Sequence, residues 1–198
     1  MGLDMTLYAR RKGVEKVLPK KYTDLENWDW INVADLRKDI GDEKIVDLIN
    51  NQALFVIDDL EYSSKTYFTI MREIAYWRKA NAIHKWFVDN VQCGEDDCKT
   101  YKVDKELLEE LRHTCLKVLD SLNDNEMETR YTEDGYAYKV YIDTEVAEEL
   151  LPTQEGFFFG ETTYDNYYKE DLQKTVQILN KCLFIDNNKF DFYYHASW

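Results

Sequence analysis

The chain has 198 residues and a formal net charge of -14, with 44% hydrophobic and 32% charged residues. A chain of this length buries roughly 70% of its unfolded surface, and its seven Gly and two Pro exclude linker-rich or collagen-like sequences. The acidic excess disfavours binding to nucleic-acid backbones, which requires clustered Lys and Arg. We therefore expect a single domain over residues 1–198 that does not bind nucleic acid directly.

The first 20 residues have neither the apolar segment nor the small-residue cleavage site of a secretory signal. No stretch approaches the roughly 18 consecutive apolar residues of a membrane-spanning helix. The four cysteines are therefore expected to be reduced thiols. These observations predict a cytoplasmic protein without a membrane partner.

The first half of the chain alternates extended segments with short helices. Alternating apolar and polar residues indicate strands, whereas apolar residues every three to four positions indicate helices. These patterns predict a strand over residues 3–10, a long surface loop over 11–32, one or two short helices within 32–51, extended segments at 54–57 and 67–71, and a helix at least over 79–91. The break between the two short helices falls near Gly41.

The second half contains the two longest predicted helices. Asp104 precedes an apolar stripe typical of one long helix, and Asp165 begins another that extends to Leu183. The other predicted elements are an edge strand at 101–103, a polar turn over 123–135, a strand over 136–142, a short helix over 143–151 and a strand over 190–198. We expect an α+β fold in which a mixed or antiparallel sheet contains both chain termini, with three to four main helices packed on one face.

The segment from residue 77 to residue 86 combines cations, an amide, an imidazole and indole rings. On a helix, Arg78, Asn81 and Lys85 would share a face that presents charge and donors to a phosphate or carboxylate. The alternative is an amphipathic helix whose tryptophans are core and whose basic residues offset an acidic surface. The candidate ligand-binding residues here are Trp77, Arg78, Lys79, Asn81, His84 and Lys85.

Three consecutive phenylalanines lie between Gly156 and Gly160. Successive side chains of an extended segment alternate, so the three rings cannot all be hidden on one side, and one or two should line a groove. The glycines permit close backbone approach. A buried strand is the alternative. The candidate residues are Phe157, Phe158, Phe159 and Tyr164. Tyr167 and Tyr168 follow, and together with Tyr164 they add hydroxyls that can orient a polar ligand.

The common motifs of enzyme active sites are absent, including a Gly-rich phosphate loop, a G-x-S-x-G elbow and an H-E-x-x-H helix. A zinc site would have to combine Cys93 and Cys98 with His113 and Cys115, but the last two face different sides of one helix. We assign no catalytic residue, metal or cofactor, and leave enzymatic activity open.

Several segments together resemble a family of uncharacterised small proteins of bacteriophages and prophages. They are the opening MGLDM, the segment YWRKANAIHKWF, the Asp97-Cys98 pair, LPTQEGFFFG with the TTYD that follows, and the ending FYYHASW. Thr6 departs from the aromatic residue expected there. The resemblance covers most of the chain and implies a phage origin rather than a mechanism.

Small acidic phage proteins without catalytic motifs are often counter-defence factors, so a phage origin implies such a role for this chain. The first hypothesis is a non-enzymatic protein that binds a small anionic, nucleotide-like ligand in a pocket of aromatic and cationic residues. The alternatives are an acidic inhibitor of a basic host nucleic-acid-binding protein and a nucleotide-processing enzyme that uses His84 as general acid or base. A scaffolding role and a homodimer also remain open.

Overall fold

The strands at the two ends of the chain form the middle of the main sheet. The computed structural model describes residues 2–25, 30–57, 67–123 and 125–198. Strand β1 (Asp4–Arg11) pairs antiparallel with β9 (Phe190–Ser197) along its whole length. The predicted α+β class, with both termini in one sheet, is therefore confirmed.

The other strands complete three antiparallel sheets. In chain order they are β2 (Ile31–Asn32), β3 (Phe55–Ile57), β4 (Tyr67–Thr69), β5 (Met71–Arg78), β6 (Tyr101–Val103), β7 (Met127–Tyr131) and β8 (Ala137–Tyr141). The main sheet has the order β5-β1-β9-β6, a second has the order β2-β4-β3, and β7 and β8 form a separate hairpin. The main sheet positions the end of β5, where the candidate site begins.

The described residues form six α-helices. They are α1 (Val33–Ile40), α2 (Asp42–Asn50), α3 (Asn81–Asn90), α4 (Lys105–Asn123), α5 (Glu145–Leu150) and α6 (Asn166–Cys182). Helices α2, α3, α4 and α6 are the longer ones, with 9, 10, 19 and 17 residues. Within the described ranges, no helix has both the length and the apolar character needed to cross a bilayer.

Both faces of the main sheet are covered. Trp77 and Tyr194 point from one face into a core that includes residues of α3, α4, α5 and α6. Tyr193 points from the other face into a second core with Leu36 of α1 and Leu48 of α2, because neighbouring residues of a strand face opposite sides. The expectation that helices pack on one face is therefore wrong, since α1 and α2 belong to the opposite core.

The predicted surface loop over residues 11–32 is more ordered than its aperiodic sequence indicated. Two short 3₁₀ turns, Val14–Lys16 and Lys20–Tyr22, bury Val14, Leu18 and Tyr22 in the second core. Three-residue turns are too short to show a period, which is why the sequence pattern missed them. Residues 26–29 of the predicted loop lie outside the described residues.

The segment around Trp77 is a strand followed by a shorter helix than predicted. Strand β5 extends to Arg78 and α3 begins only at Asn81, whereas the sequence predicted a helix from Lys79. In β5 the buried residues Ala75 and Trp77 alternate with exposed ones, which is the period of a strand. A short apolar run does not distinguish a strand from a helix, so the proposed helix face shared by Arg78, Asn81 and Lys85 does not exist.

Candidate functional site

The turn between β5 and α3 has an unusual backbone conformation at Lys79. Its φ of 58° is left-handed, which costs a non-glycine residue about 1–2 kcal/mol. The Lys79 amide donates to the Leu3 carbonyl at 2.8 Å, and the Asn81 amide donates to the Lys79 carbonyl at 2.9 Å. Gly160 lies against this turn, since a Cβ placed on it would be 3.2 Å from the Cβ of Lys79. Two distant segments thus meet closely here.

The side chain of Asn81 fastens these two segments together. Its Nδ2 donates to the carbonyls of Phe159 (3.2 Å) and Glu161 (2.8 Å), and its Oδ1 accepts from the amide of Gln154 (3.1 Å). The residue is only 5% exposed. Because both amide donors are used, Asn81 acts mainly as a structural clamp, although it also lines the cavity described next.

A cavity of about 460 Å³ lies between the β5–α3 turn and the beginning of α6. This volume falls within the roughly 300–1,000 Å³ typical of small-molecule sites. The segment 153–165 supplies the remaining wall. The charged and aromatic lining residues are Arg78, Lys79, Glu161, Asp165, Tyr167, Tyr168, Glu170 and Asp171.

The side of the cavity formed by β5 and α3 is positively charged. Arg78 and Lys79 are both exposed, and within the described chain neither side chain forms an ion pair. Helix α3 follows these two residues without a side-chain cap, and Ala82 and Ile83 of its first turn line the cavity. Free N–H groups and the positive end of the helix dipole attract anions. This side can therefore bind an anion.

The α6 side of the cavity carries carboxylates in different environments. The carboxylate of Asp165 caps α6 by accepting from the amide of Tyr168 at 3.0 Å, and it also accepts from the hydroxyl of Thr163 at 3.2 Å. Asp171 is half-buried, and desolvation raises the pKa of its carboxyl from an ordinary 3.8 to about 6. Lys174 opposes this rise, whereas the negative charge of Glu170 adds to it.

Two tyrosines of α6 contribute rings to the cavity in different ways. Tyr168 is buried and its hydroxyl donates to the carbonyl of Leu151 at 2.9 Å; burial raises the pKa of that hydroxyl. Tyr167 is 77% exposed and lines the cavity as well. Tyr167 therefore supplies an accessible aromatic face, while Tyr168 is held by the core. The predicted Tyr164 packs against Tyr168, with ring centroids 4.9 Å apart, and does not line the cavity.

The three phenylalanines occupy three different environments. They lie in a tight turn, closed by a hydrogen bond from the Phe159 amide to the Gly156 carbonyl at 3.1 Å. Phe157 is 96% exposed, Phe158 is half-buried and Phe159 is only 5% exposed. None of the three lines the cavity. The alternation expected of an extended segment is absent, because the chain turns at these residues.

His84 belongs to a buried polar network on α3. Its Nδ1 lies 2.8 Å from the hydroxyl of Tyr194 and its Nε2 lies 3.0 Å from Oδ2 of Asp96. The indole Nε1 of Trp198 donates to Oδ1 of the same carboxylate at 3.1 Å. Burial raises the pKa of Tyr194 well above its usual value, so this hydroxyl stays protonated. His84 is fully buried and connects the C-terminal strand to the core, away from the cavity lining.

Two more predicted residues lie outside the cavity. Trp77 is fully buried in β5, and its Nε1 donates to the hydroxyl of Thr175 on α6 at 2.9 Å. Lys85 forms an ion pair with Asp89 at 3.0 Å on the surface of α3. Of the predicted binding residues, the structure thus brings together Arg78, Lys79 and Asn81, and it adds α6 as a second wall that the sequence did not indicate.

Among the described residues, no group of three or more His, Cys, Asp or Glu side chains is arranged to hold a metal ion. Cys115, considered with Cys93 and Cys98 as a zinc ligand, is buried in the main core. Comparison of the chain with protein-family models, with curated proteins and with solved structures finds no match.

Proposed function

We propose that the protein binds a small anionic, nucleotide-like ligand in this cavity without transforming it. The observation that carries the proposal is the positively charged wall, where Arg78 and Lys79 directly precede the uncapped start of α3. Cations and helix N–H groups recognise phosphate and carboxylate together, since both supply donors to the same oxygens. The volume of about 460 Å³ suits a ligand of mononucleotide size.

The backbone at Lys79 is a second supporting observation. Left-handed conformations of non-glycine residues are retained mainly where the surrounding structure enforces them, and they cluster at ligand sites. Here the φ of 58° turns the chain sharply between Arg78 and Asn81. This turn brings two adjacent cations to the start of a helix, an arrangement that a continuous helix would not provide.

The ring of Tyr167 supports the nucleotide-like character of the ligand. It is largely exposed at the cavity, so one face is available to stack on a planar group. In this proposal Tyr167 stacks on the ligand, the role that the sequence analysis assigned to Phe157, Phe158 and Phe159. On the sequence resemblance alone, we extend the proposal to a phage-encoded counter-defence factor that sequesters a nucleotide signal in the cytoplasm of a bacterial host.

A second candidate function is an acidic inhibitor of a basic host protein. The supporting feature is the β7–β8 hairpin, a separate two-stranded sheet with Tyr131 and Tyr136 exposed by 69% and 74%. Glu128, Glu133 and Asp134 are also exposed on it. Exposed aromatic residues and carboxylates suit a basic protein surface, and Glu133 and Asp134 form no ion pair within the described residues, whereas Glu128 pairs with Arg130. The enzyme alternative loses its proposed acid or base, because His84 is buried with both ring nitrogens engaged.

Calorimetric titration with ribose 5-phosphate tests the proposed site. We expect Arg78→Gln to weaken binding about tenfold or more, because a charged hydrogen bond to phosphate is lost. Lys85→Gln is the matched control, since it removes a cation of α3 that lies outside the cavity. Equal effects of the two variants, or no saturable binding by the wild-type protein, would contradict the proposal.

A further inference from the structure

The residues on the α6 side of the cavity indicate the chemistry of the ligand at the end opposite its anionic group. This inference rests on the proposed function. Asp171 lies in the second turn of α6, lines the cavity and is half-buried. In the described part of the chain, no hydrogen-bond donor pairs with its carboxylate. Lys174 acts on it electrostatically without forming an ion pair. The Asp171 carboxylate therefore faces the cavity as an acceptor that a donor of a bound ligand can pair with.

A partly desolvated carboxylate without a donor is unfavourable in the empty protein. The raised pKa of Asp171 reflects this cost, and its largest cause is burial. The neighbouring carboxylates do not relieve it, because Glu170 and Asp165 raise the pKa further. N–H donors of a bound ligand would relieve it directly, since an ionised carboxylate accepts hydrogen bonds at both oxygens.

The charge of the whole cavity limits the ligand further. Arg78 and Lys79 are outnumbered by the carboxylates of Glu161, Asp165, Glu170 and Asp171. A ligand with several phosphates would meet repulsion from the α6 side, whereas a single phosphate at the β5–α3 side would not need to approach these carboxylates. A monophosphate with a neutral, donor-bearing end fits both sides.

We propose that the ligand is a guanine-type nucleoside monophosphate whose base donates paired N–H groups to Asp171 while its phosphate binds Arg78, Lys79 and the start of α3. The Watson–Crick edge of guanine places the N1–H and N2–H donors side by side, matching the two oxygens of one carboxylate. The corresponding edges of adenine and cytosine pair a donor with a ring-nitrogen acceptor, which a carboxylate repels. Tyr167 lines the same cavity and offers its ring to the base.

Calorimetric titration with guanosine monophosphate (GMP), adenosine monophosphate (AMP) and ribose 5-phosphate tests this inference. We expect wild-type protein to bind GMP about tenfold or more tightly than AMP, since two charged hydrogen bonds distinguish them. Asp171→Asn should bring the ratio of the two dissociation constants close to one, because the amide no longer accepts at both atoms. Glu110→Gln, an exposed carboxylate change on α4 outside the cavity, should preserve the ratio.

The outcomes separate the two proposals. If ribose 5-phosphate binds but the wild-type protein does not favour GMP over AMP, the guanine inference is overturned and the anion site stands. A preference for GMP that Asp171→Asn leaves unchanged also overturns the inference, because another group must then read the base. If none of the three compounds binds, both proposals fail. Circular dichroism of each variant confirms that the ratio is measured on folded protein.

Discussion

Replacing Asp171 by Asn should stabilise the folded protein at neutral pH, although it removes an acceptor from the proposed site. Desolvation raises the pKa of this carboxyl from an ordinary 3.8 to about 6. The ionised form is therefore less favourable in the folded chain than in the unfolded chain. Asparagine keeps nearly the same size and remains polar, but it carries no charge to desolvate.

The size of the effect follows from the pKa shift. Each pKa unit corresponds to about 1.4 kcal/mol, so a rise from 3.8 to about 6 sets an upper limit of about 3 kcal/mol. Because Asp171 is only partly buried, solvent screening reduces the expected gain to about 1–2 kcal/mol.

The pH dependence has a definite sign. A raised pKa means that the contribution of Asp171 to stability is fully present below pH 3.8 and is lost as the pH rises through about 6. The advantage of Asp171→Asn should therefore be complete near pH 7.5, fall to about half near pH 5 and become negligible below about pH 3.5.

Urea unfolding followed by circular dichroism at about pH 7.5 and about pH 5 measures this effect. The free energy of unfolding at the higher pH should rise by about 1–2 kcal/mol. In thermal unfolding this gain corresponds to a melting temperature higher by roughly 2–8 °C for a chain of this length. Glu110→Gln controls for the change in net charge and should stay within about 0.5 kcal/mol of wild type. A loss of stability at about pH 7.5, or an equal gain at both pH values, would show that Asp171 is not a desolvated carboxylate.

The remaining predictions concern neighbouring parts of the site. Gly160→Ala should lower the free energy of unfolding by about 1–3 kcal/mol, because its φ is 90° and the new Cβ would meet Lys79. Gly13→Ala is the matched control in urea unfolding, because its φ is 82° but a new Cβ would meet nothing within 4 Å, and it should lower the free energy of unfolding by less. Equal losses in the two variants would mean that Gly160 does not approach Lys79 closely. His84→Ala should cost about 2–4 kcal/mol, because it leaves the buried hydroxyl of Tyr194 without its partner and removes the contact to half-buried Asp96, which keeps the hydrogen bond from Trp198. The folded variant should keep its affinity for ribose 5-phosphate, and a calorimetric loss of affinity would instead connect His84 to the site. Phe157→Ser should change neither the melting temperature nor the dissociation constant for ribose 5-phosphate, since the ring is 96% exposed, and a loss of affinity would move the site to that turn.

The long regular elements were predictable from sequence because their patterns repeat. Helix α4 shows its apolar stripe over 19 residues, and Asp165 marks the start of α6 as its N-cap. Alternation over eight residues likewise indicated β1. The boundary between β5 and α3 was not predictable in the same way, because a left-handed turn at a lysine has no signature in residue type.

From the sequence, only the cationic and amide residues between 78 and 81 could be recognised as part of the site. Arg78, Lys79 and Asn81 do line the cavity, but they do so from a strand, a turn and a helix start. Read from sequence, Tyr167 is only one of three hydroxyls that follow the phenylalanines, and Asp171 is an ordinary surface position of an amphipathic helix. They approach residues that are about ninety positions earlier in the chain. This proximity is tertiary information that no spacing within α6 reveals.

Whether a small anion binds at the start of α3 is tested most directly by nuclear magnetic resonance of ¹⁵N-labelled protein titrated with ribose 5-phosphate. We expect saturable shifts that are largest at the amides of Ala82 and Ile83, which line the cavity in the first turn of that helix. The same titration of Arg78→Gln should require about tenfold more ligand. The absence of saturable shifts, or shifts centred on Phe157 instead, would contradict the assignment of this cavity as the binding site.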